Sequence, residues 1–464
     1  MKGIGAGSTR SYWNRKWPWL APLIIVITAA TLVTGNSHAV EYIDAQSPAA
    51  ESAKLLYGPL AHTFRARPKL VRKALIGWKK RVEERGPFWR DSTLEFDLRS
   101  FDFDRRNSGT DEREAWAIGG QLAYESGRWH NFGVRAAFYN STELSASGGD
   151  TGVLLPGQEN INVFGEANVS YELDATPLKG SAIRLYRQTF KAPYLNTSDI
   201  RMLPSTHEGY VISRRDSELD YFVGHITKFK NYDSDKFVHM SEAAGADGSN
   251  KGVTALGGWL PTISEKVSIG VGTLYGWDTF NTLFAEGSYF TELGNGFDMR
   301  LSTQFTGQRS VGDELVGDFK THHASARAAF GWRGAVLKIA GSKTSDDAAI
   351  RKPWGGSPSY LALMRGDFDR ANEKGLLVGL SYNSKRLGLS GYGNIAWGSE
   401  AEDPATAAPL PDRVEYDLTL DWKPPSLPLK GLWLRARYAH VDNDGDGKTV
   451  DDIRLILNYG IPFF

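Results

Sequence analysis

The stretch RVEYDLTLDW, residues Arg413–Trp422, alternates apolar and polar side chains without a break. Its apolar positions are 414, 416, 418, 420 and 422, and the polar residues between them are Arg413, Glu415, Asp417, Thr419 and Asp421. Successive side chains of a β-strand point to opposite faces, so the pattern predicts a strand with one apolar and one polar face. The stretches Phe297–Gln308 (FDMRLSTQFTGQ) and Ile453–Phe463 (IRLILNYGIPF) alternate in the same way over most of their length.

Runs of this kind continue from about Asp91 to Phe464, and the connections between them alternate in length. Eight tight connections, such as 126–131, are interleaved with nine longer polar ones, such as 190–208, which makes seventeen connections and eighteen strands. An even number of antiparallel strands with short turns at one end and long loops at the other is typical of outer-membrane barrels. A closed barrel of that size encloses an aqueous channel. We therefore predict an all-β fold, a transmembrane antiparallel β-barrel of about 18 strands that forms a pore.

The composition fits such a barrel better than a bundle of membrane helices. The 464 residues include 50 glycines and no cysteine, 12% are aromatic, and the mean hydropathy is -0.36. In a transmembrane barrel only every second strand residue meets lipid, so the mean hydropathy stays low. A soluble β-sandwich also alternates. Lipid on the outside is favoured by the closing Phe463-Phe464 and by aromatic residues near strand ends, namely Trp129, Phe132, Trp332, Trp422 and Tyr459.

Residues 1–39 predict a secretory signal peptide. Basic residues up to Lys16 precede the apolar run Trp19–Val33, and Ser37 and Ala39 supply the small residues of a cleavage site. The run has 15 residues, fewer than the roughly 20 that a spanning helix needs, and an inner-membrane anchor is the alternative interpretation.

Residues 40–90 predict a basic amphipathic N-terminal arm, either periplasmic or inside the lumen. Val71, Leu75, Trp78 and Val82 recur at helical spacing, and the segment holds 11 basic and 5 acidic residues. One interpretation is a surface helix, and the other is a contact with anionic lipid, cell-wall polymer or another partner. The predicted barrel, 91–464, then carries a net charge of -10, which gives no reason to expect a nucleic-acid partner.

Inward-facing arginines form the candidate site, because the selectivity of a pore comes from side chains along its wall. Alternation places Arg435 and Arg437 on the polar face of strand 17, and neighbouring strands add Arg413, Arg454 and Arg99. Such a row can hold a carboxylate bidentately and pass it on. About half of all strand residues face water in a porin, so some arginines fall there by chance. Other positions with inward parity are Arg184, Arg300, Arg327 and His323.

Acidic residues complicate this prediction. Glu415, Asp417 and Asp421 face the same lumen and would attract cations, so simple anion selectivity does not follow. The stretch 442–447 (DNDGDG) is similar to the start of an EF-hand loop, but its twelfth position is an isoleucine and no helices flank it. Whether the acidic 442–452 loop binds cations stays open. His322 and His323 are adjacent on a strand and point to opposite faces, so we predict no metal site there.

The third long loop, 190–208, is the predicted constriction. It contains turn-forming residues together with apolar ones that are unusual at a solvated tip, namely Tyr194, Leu195, Ile200, Met202 and Leu203. We expect it to fold inward against the wall.

The chain resembles a known family, the OprD-type outer-membrane porins. The resemblance covers about residues 90–464 and is carried by Gln188, Pro193, the run 199–206 (DIRMLPST), Gly209, 434–438 (LRARY), 353–358 (PWGGSP) and 453–456 (IRLI). It implies an eighteen-strand barrel in which a basic ladder faces acidic and carbonyl groups of the constriction. It places Arg201 and Asp199 at the constriction and assigns Arg435 and Arg437 to the ladder. The family usually has an aromatic residue in place of His207.

We therefore expect an outer-membrane porin for passive, selective diffusion of small carboxylate-containing solutes, which include amino acids, peptides, and organic or aromatic acids. Such a pore needs no cofactor and is not an enzyme. A barrel-embedded hydrolase would need a nucleophile, a base and an acid within reach, and none of the 9 histidines sits in such an arrangement. A structural barrel that binds the cell wall through 40–90 is a third alternative. The expected surroundings are outer-membrane lipid, and the expected state is a monomer or weak trimer.

Overall fold

The structure is a computed structural model that describes residues 80–82, 84–108, 112–174, 178–214, 219–264, 266–425, 429, 431–444 and 448–463. The predicted signal peptide and nearly all of the predicted helical arm lie outside the described residues. The described residues contain two complete short helices, α1 (Pro87–Arg90) and α2 (Met240–Ala243), and residues 80–82 are also helical. No helix within these ranges has the length and apolar character needed to cross a membrane.

The described residues form one closed antiparallel barrel of eighteen long strands. The strands are β1 Thr93–Asn107, β2 Arg113–Glu125, β3 Phe132–Gly148, β4 Ile161–Leu173, β5 Ser181–Gln188, β6 Thr206–Arg214, β7 Asp220–Lys230, β8 Val253–Ser264, β9 Val267–Gly276, β10 Phe280–Gly294, β11 Phe297–Ser310, β12 Lys320–Trp332, β13 Ala335–Thr344, β14 Lys374–Ser384, β15 Leu389–Ser399, β16 Arg413–Trp422, β17 Leu432–Asn443 and β18 Lys448–Pro462. Each strand pairs with its neighbours along the chain, and β1 pairs with β18, with Arg99 opposite Asn458. The predicted fold class is confirmed.

The two faces of each strand show why this barrel belongs in lipid. In β16 the apolar Tyr416 and Leu418 are 44% and 46% exposed, whereas Glu415 and Asp417 are 0% and 6% exposed. A soluble sandwich buries its apolar face and exposes its polar one. Here the apolar face points outward and the polar face points into the barrel, which is the arrangement that transmembrane barrels require.

Aromatic residues ring the end of the barrel at which the connections are tight. Phe297 and Trp332 lie opposite each other across β11 and β12, and their rings stack with centroids 5.5 Å apart. Trp129 and Phe132, beside the β2–β3 turn, are 62% and 45% exposed. This is the placement expected for an aromatic girdle at a membrane interface.

Several connections predicted to be long are shorter, because the strands continue farther. In the predicted loop 442–452, Asp442 pairs with Thr449 and Asn443 with Lys448, so β17 extends to Asn443 and β18 begins at Lys448. The polar stretch 104–113, which the sequence predicts as the first long loop, is likewise shortened because β1 extends to Asn107. The sequence prediction was wrong on these lengths, because charged residues at a strand end can belong to the strand when they project above the membrane.

The apolar cores of the protein lie inside the barrel. They form where long loops pack against inward-facing wall residues. One cluster gathers Tyr194, Phe222, Trp259, Phe280 and Trp354, and a second gathers Phe101, Phe103, Tyr139, Met202 and Leu203. These clusters hold the long loops against the inward-facing side of the wall.

Candidate functional site

The β5–β6 loop folds inward, as the sequence predicts. Within it, Lys191–Ala192 and Leu195–Asn196 form a small hairpin of their own. The Tyr194 hydroxyl lies 2.9 Å from Thr306 Oγ1 on the far wall, in β11. Leu195, Met202 and Leu203 are at most 1% exposed. Four of the five apolar residues noted in this loop therefore anchor it in the lumen, whereas Ile200 is 41% exposed.

The β13–β14 loop, residues 345–373, also folds inward, and the sequence analysis missed it. Trp354 is 1% exposed, and Leu361 and Phe368 are fully buried against the wall residues Ala340 and Leu377. The same signal was present in both loops, since 354–368 also contains large apolar residues between turn formers. Large apolar residues between turn formers therefore predict inward folding of this loop as well as of the third loop.

Trp354 ties three loops together. Its indole nitrogen donates to the backbone oxygen of Met240 at 2.7 Å, and its ring stacks on Phe280 with centroids 4.9 Å apart. Its own backbone oxygen lies 3.1 Å from Nε2 of His207, at the end of the third loop. His207 therefore has a packing role where the related family usually has an aromatic residue.

Two acidic residues of the wall hold the β13–β14 loop in place. Glu415 accepts hydrogen bonds from the backbone N–H groups of Arg365 and Gly366, both at 2.7 Å. Asp417 accepts from the N–H of Met364 at 3.0 Å. From their inward parity, these carboxylates were predicted to attract cations. The structure shows instead that they are buried and hydrogen-bonded to the loop.

The lower part of the arginine row faces the third loop. Arg99 donates to Asp199 through both terminal nitrogens, at 2.5 and 2.9 Å, and to Asn458 at 2.7 Å. Arg435 makes a bidentate contact with Asp421, at 2.7 and 2.9 Å. Arg437 donates to Thr419 Oγ1 at 3.1 Å and to the Tyr392 hydroxyl at 3.3 Å.

Arg437 is thus the member of the row whose partners are neutral. No carboxylate lies within ion-pair distance of it among the described residues. All three guanidiniums are partly exposed, so a solute in the lumen can reach them.

Arg413 and Arg454 belong to the same wall but are held by acidic residues. Arg413 makes a bidentate contact with Glu373 at 3.0 Å for both bonds. Arg454 donates to Asp452 at 2.7 and 3.1 Å. Arg454 lies directly opposite Arg437 in the pairing of β17 with β18, so the row of the sequence prediction is continuous in register.

The resemblance implies that Arg201 and Asp199 both lie at the constriction. In the structure the two side chains contact different parts of the protein. Asp199 meets the wall through Arg99, as described above. Arg201 is 7% exposed and donates to the backbone oxygens of Thr151 and Ile200, both at 3.1 Å. Burial, and next the nearby guanidinium of Arg454, lower the pKa of Arg201.

The other predicted positions lie elsewhere on the wall. Arg184 in β5 helps to line a cavity with Gln188, Phe190 and Trp259. Arg300 lies 5.6 Å from the Phe290 ring centroid, and Arg327 lies 4.2 Å from that of Tyr360. His323 lies 3.0 Å from Thr344 Oγ1 and 3.2 Å from Ser359 Oγ. These residues are on β5, β11 and β12, away from the row on β16, β17, β18 and β1.

Trp433 is a site residue that the sequence analysis missed. Its ring centroid lies 4.6 Å from the guanidinium carbon of Arg435 and 4.6 Å from Nζ of Lys423, and its indole donates to Asp421 at 2.6 Å. It shares the inward parity of Arg435, so alternation alone could have identified it. The ring is 7% exposed, so it supports the Arg435 guanidinium and does not itself face the lumen.

This geometry, a closed barrel with an internal constriction and a row of arginines, agrees with the comparison against known families. Residues 86–463 match a family described as outer membrane porin, OprD family. The chain belongs to the OprD porin family. Its place is therefore the outer membrane, and the family and fold are those of channels for small solutes.

Solved structures of OprD-family porins share the barrel. OpdK of Pseudomonas aeruginosa, crystallised with vanillate, is 20% identical, with 81% of this chain and 100% of that chain covered and a TM-score of 0.72. A BenF-like porin from Pseudomonas fluorescens Pf-5 is 19% identical, with the same coverage and a TM-score of 0.72. OccAB3 of Acinetobacter baumannii is 18% identical, with 80% and 99% covered and a TM-score of 0.72. The search of curated proteins found no match.

Proposed function

We propose that this OprD-family porin passes small carboxylate-containing solutes by passive, selective diffusion across the outer membrane. The observation that carries the proposal is the placement of Arg99 on β1 and of Arg435 and Arg437 on β17, the two strands that flank β18, with Arg99 also bonded to Asp199 of the third loop. Guanidinium groups bind carboxylates through two parallel hydrogen bonds. Exchange between adjacent guanidiniums lets a carboxylate advance without being left unpaired.

The surrounding groups support carboxylate recognition over cation recognition. Glu415 and Asp417 are occupied by backbone N–H groups of the β13–β14 loop, and Asp421 by Arg435 and Trp433. Arg437 is left with two hydroxyl partners. A carboxylate can therefore bind Arg437 without breaking an ion pair within the described residues. OpdK crystallised with vanillate, itself a carboxylate, and this likeness also supports the proposal.

The ring of Trp433 positions Arg435 for a solute. It is 7% exposed, and Lys423 and Arg435 each lie 4.6 Å from its centroid, so it supports the Arg435 guanidinium through a cation–π contact. All residues of the row come from one chain, so a single barrel contains the complete path whether the porin is a monomer or a weak trimer. In this proposal residues 1–39 direct export, and 40–90 form a basic arm that is periplasmic or lumenal.

The test is single-channel recording of the purified porin in a planar lipid bilayer, with benzoate or acetate added. We expect a carboxylate to block the conductance in a concentration-dependent way. Replacing both Arg435→Ala and Arg437→Ala should weaken the block at least tenfold. The matched control is the double variant Arg309→Ala with Arg333→Ala, which removes the same charge away from the row. Equal block in the row variant and the wild type would refute the proposal.

A further inference from the structure

Three guanidinium groups gather around one buried aromatic ring, that of Phe103 in β1. The guanidinium carbons of Arg105, Arg201 and Arg454 lie 4.8, 5.1 and 5.7 Å from the ring centroid. They come from β1, the third loop and β18. Because all three contact one ring, the three guanidiniums lie close to one another.

The three guanidiniums share a single hydrogen-bonded carboxylate within the described residues, and Asp417 acts on Arg454 only through space. Asp452 supplies the shared carboxylate, which accepts from Arg105 and Arg454, each at 2.7 Å. Arg201 is bonded only to backbone oxygens. Asp233 is near enough to act on Arg201 through space but forms no ion pair with it within the described part of the chain.

This charge is also buried. Arg105, Arg201 and Arg454 are 8%, 7% and 1% exposed. Removing charges from water is unfavourable unless opposite charge compensates them. The lowered pKa of Arg201, which burial and then Arg454 cause, points the same way.

Donors remain open on all three side chains. Nη1 of Arg105, Nη2 of Arg201 and Nη1 of Arg454 donate to no acceptor among the described residues, and none of the three atoms is sealed from solvent. A fourth guanidinium, that of Arg365, approaches from the β13–β14 loop. Burial, and next the charge of Arg105, lower the pKa of Arg365.

From this convergence we infer that the Phe103 cluster binds solutes with two or more negative charges, such as dicarboxylates, ahead of the Arg437–Arg435 row. A monocarboxylate neutralises one charge of the cluster, whereas a dianion neutralises two and can reach donors on two arginines at once. Arg454 stands opposite Arg437 in register, so a bound dianion has its next partner within one strand spacing. The inference rests on the proposed function and narrows its substrate class.

The test compares succinate with butyrate, which have the same number of carbons but differ by one charge. Both are added to single channels at low ionic strength, where screening is weak. We expect succinate to block the wild type at a concentration at least tenfold lower than butyrate. Arg105→Gln combined with Arg201→Gln should weaken block by succinate far more than block by butyrate and so bring the two blocking concentrations close together. The control is Arg106→Gln, which changes the neighbouring outward-facing arginine that pairs with Asp104.

The outcomes separate this inference from the proposed function. Block by butyrate without any preference for succinate overturns the inference and leaves the proposed function standing. Absence of block by either anion overturns both. Inorganic phosphate is the third probe: block as strong as that by succinate supports recognition by charge, and succinate block alone supports recognition of paired carboxylates. If the double variant does not fold, Arg201→Gln alone, which leaves the Asp452 contacts intact, gives the same comparison.

Discussion

The side-chain amide of Asn196 brackets the backbone of Gly356. Its nitrogen donates to the Gly356 oxygen at 3.0 Å, and its oxygen accepts from the Gly356 N–H at 3.0 Å. A side chain at the preceding residue, Gly355, would place its Cβ 2.6 Å from the backbone nitrogen of Asn196. This contact fastens the two inward loops to each other in addition to the contact of His207 with Trp354.

Asn196→Ala should loosen the constriction without unfolding the barrel. Each lost hydrogen bond contributes about 1 kcal/mol, and neither bond belongs to the sheet. We expect more frequent transitions between conductance levels in single-channel recordings. Gly355→Ala should act in the same direction, because the added methyl group cannot fit against Asn196. Asn383→Ala, at a tight turn, serves as the control, and equally quiet channels in all variants would contradict the prediction.

Glu415→Gln should release the β13–β14 loop from the wall. The glutamine amide presents a donor to the N–H groups of Arg365 and Gly366, where the carboxylate presents two acceptors. We expect a larger single-channel conductance and faster proteolysis within 345–373. Glu400→Gln, which changes an exposed carboxylate paired with Lys374, should leave both readouts as in the wild type. An unchanged conductance in Glu415→Gln would show that the loop is held by other contacts.

Lys230→Met should lower the stability of the folded barrel. The ammonium group is fully buried and donates to three backbone oxygens, those of Pro204, Asn231 and Ser234, at 3.1, 2.8 and 3.4 Å. Each buried acceptor left without a donor costs about 1–3 kcal/mol. We expect a clear drop in the thermal unfolding temperature in detergent, read by circular dichroism. Lys374→Met removes an exposed lysine and should have little effect.

Arg437→Lys separates the effect of charge from that of geometry in the row. Lysine keeps the positive charge but cannot form the planar two-bond contact with a carboxylate. We expect carboxylate block to weaken in Arg437→Lys, though less than in Arg437→Ala. Block equal to that of the wild type would mean that the field alone, and not paired hydrogen bonding, attracts the solute. Arg309→Lys on the outward face is the matched control.

The sequence predicts the barrel because its information is local and periodic. Alternation of the kind seen in Arg413–Trp422 fixes which side of a strand meets lipid, and the rhythm of the connections fixes the number of strands. The inward parity of Arg99, Arg435 and Arg437 follows from the same rule. These features need no knowledge of which distant residues meet.

The partners of the inward residues could not be predicted, because they depend on how the long loops fill the lumen. Glu373 and Arg413 are 40 residues apart, and Arg99 and Asp199 are 100 apart, so no local pattern links them. Alternation showed that Glu415 and Asp417 face inward, but it could not show that loop N–H groups occupy them. Which arginines remain open to a solute is settled by these long-range pairings.

The pairing of β1 with β18 has a consequence for biogenesis. Arg99 stands on the first strand, while Arg435, Arg437 and Arg454 stand on the last two, so the basic row straddles the seam where the sheet meets itself. The row comes into being only when the final hairpin docks on the first strand. A barrel arrested before that step would lack its anion path altogether, so carboxylate sensitivity reports completed assembly as well as selectivity.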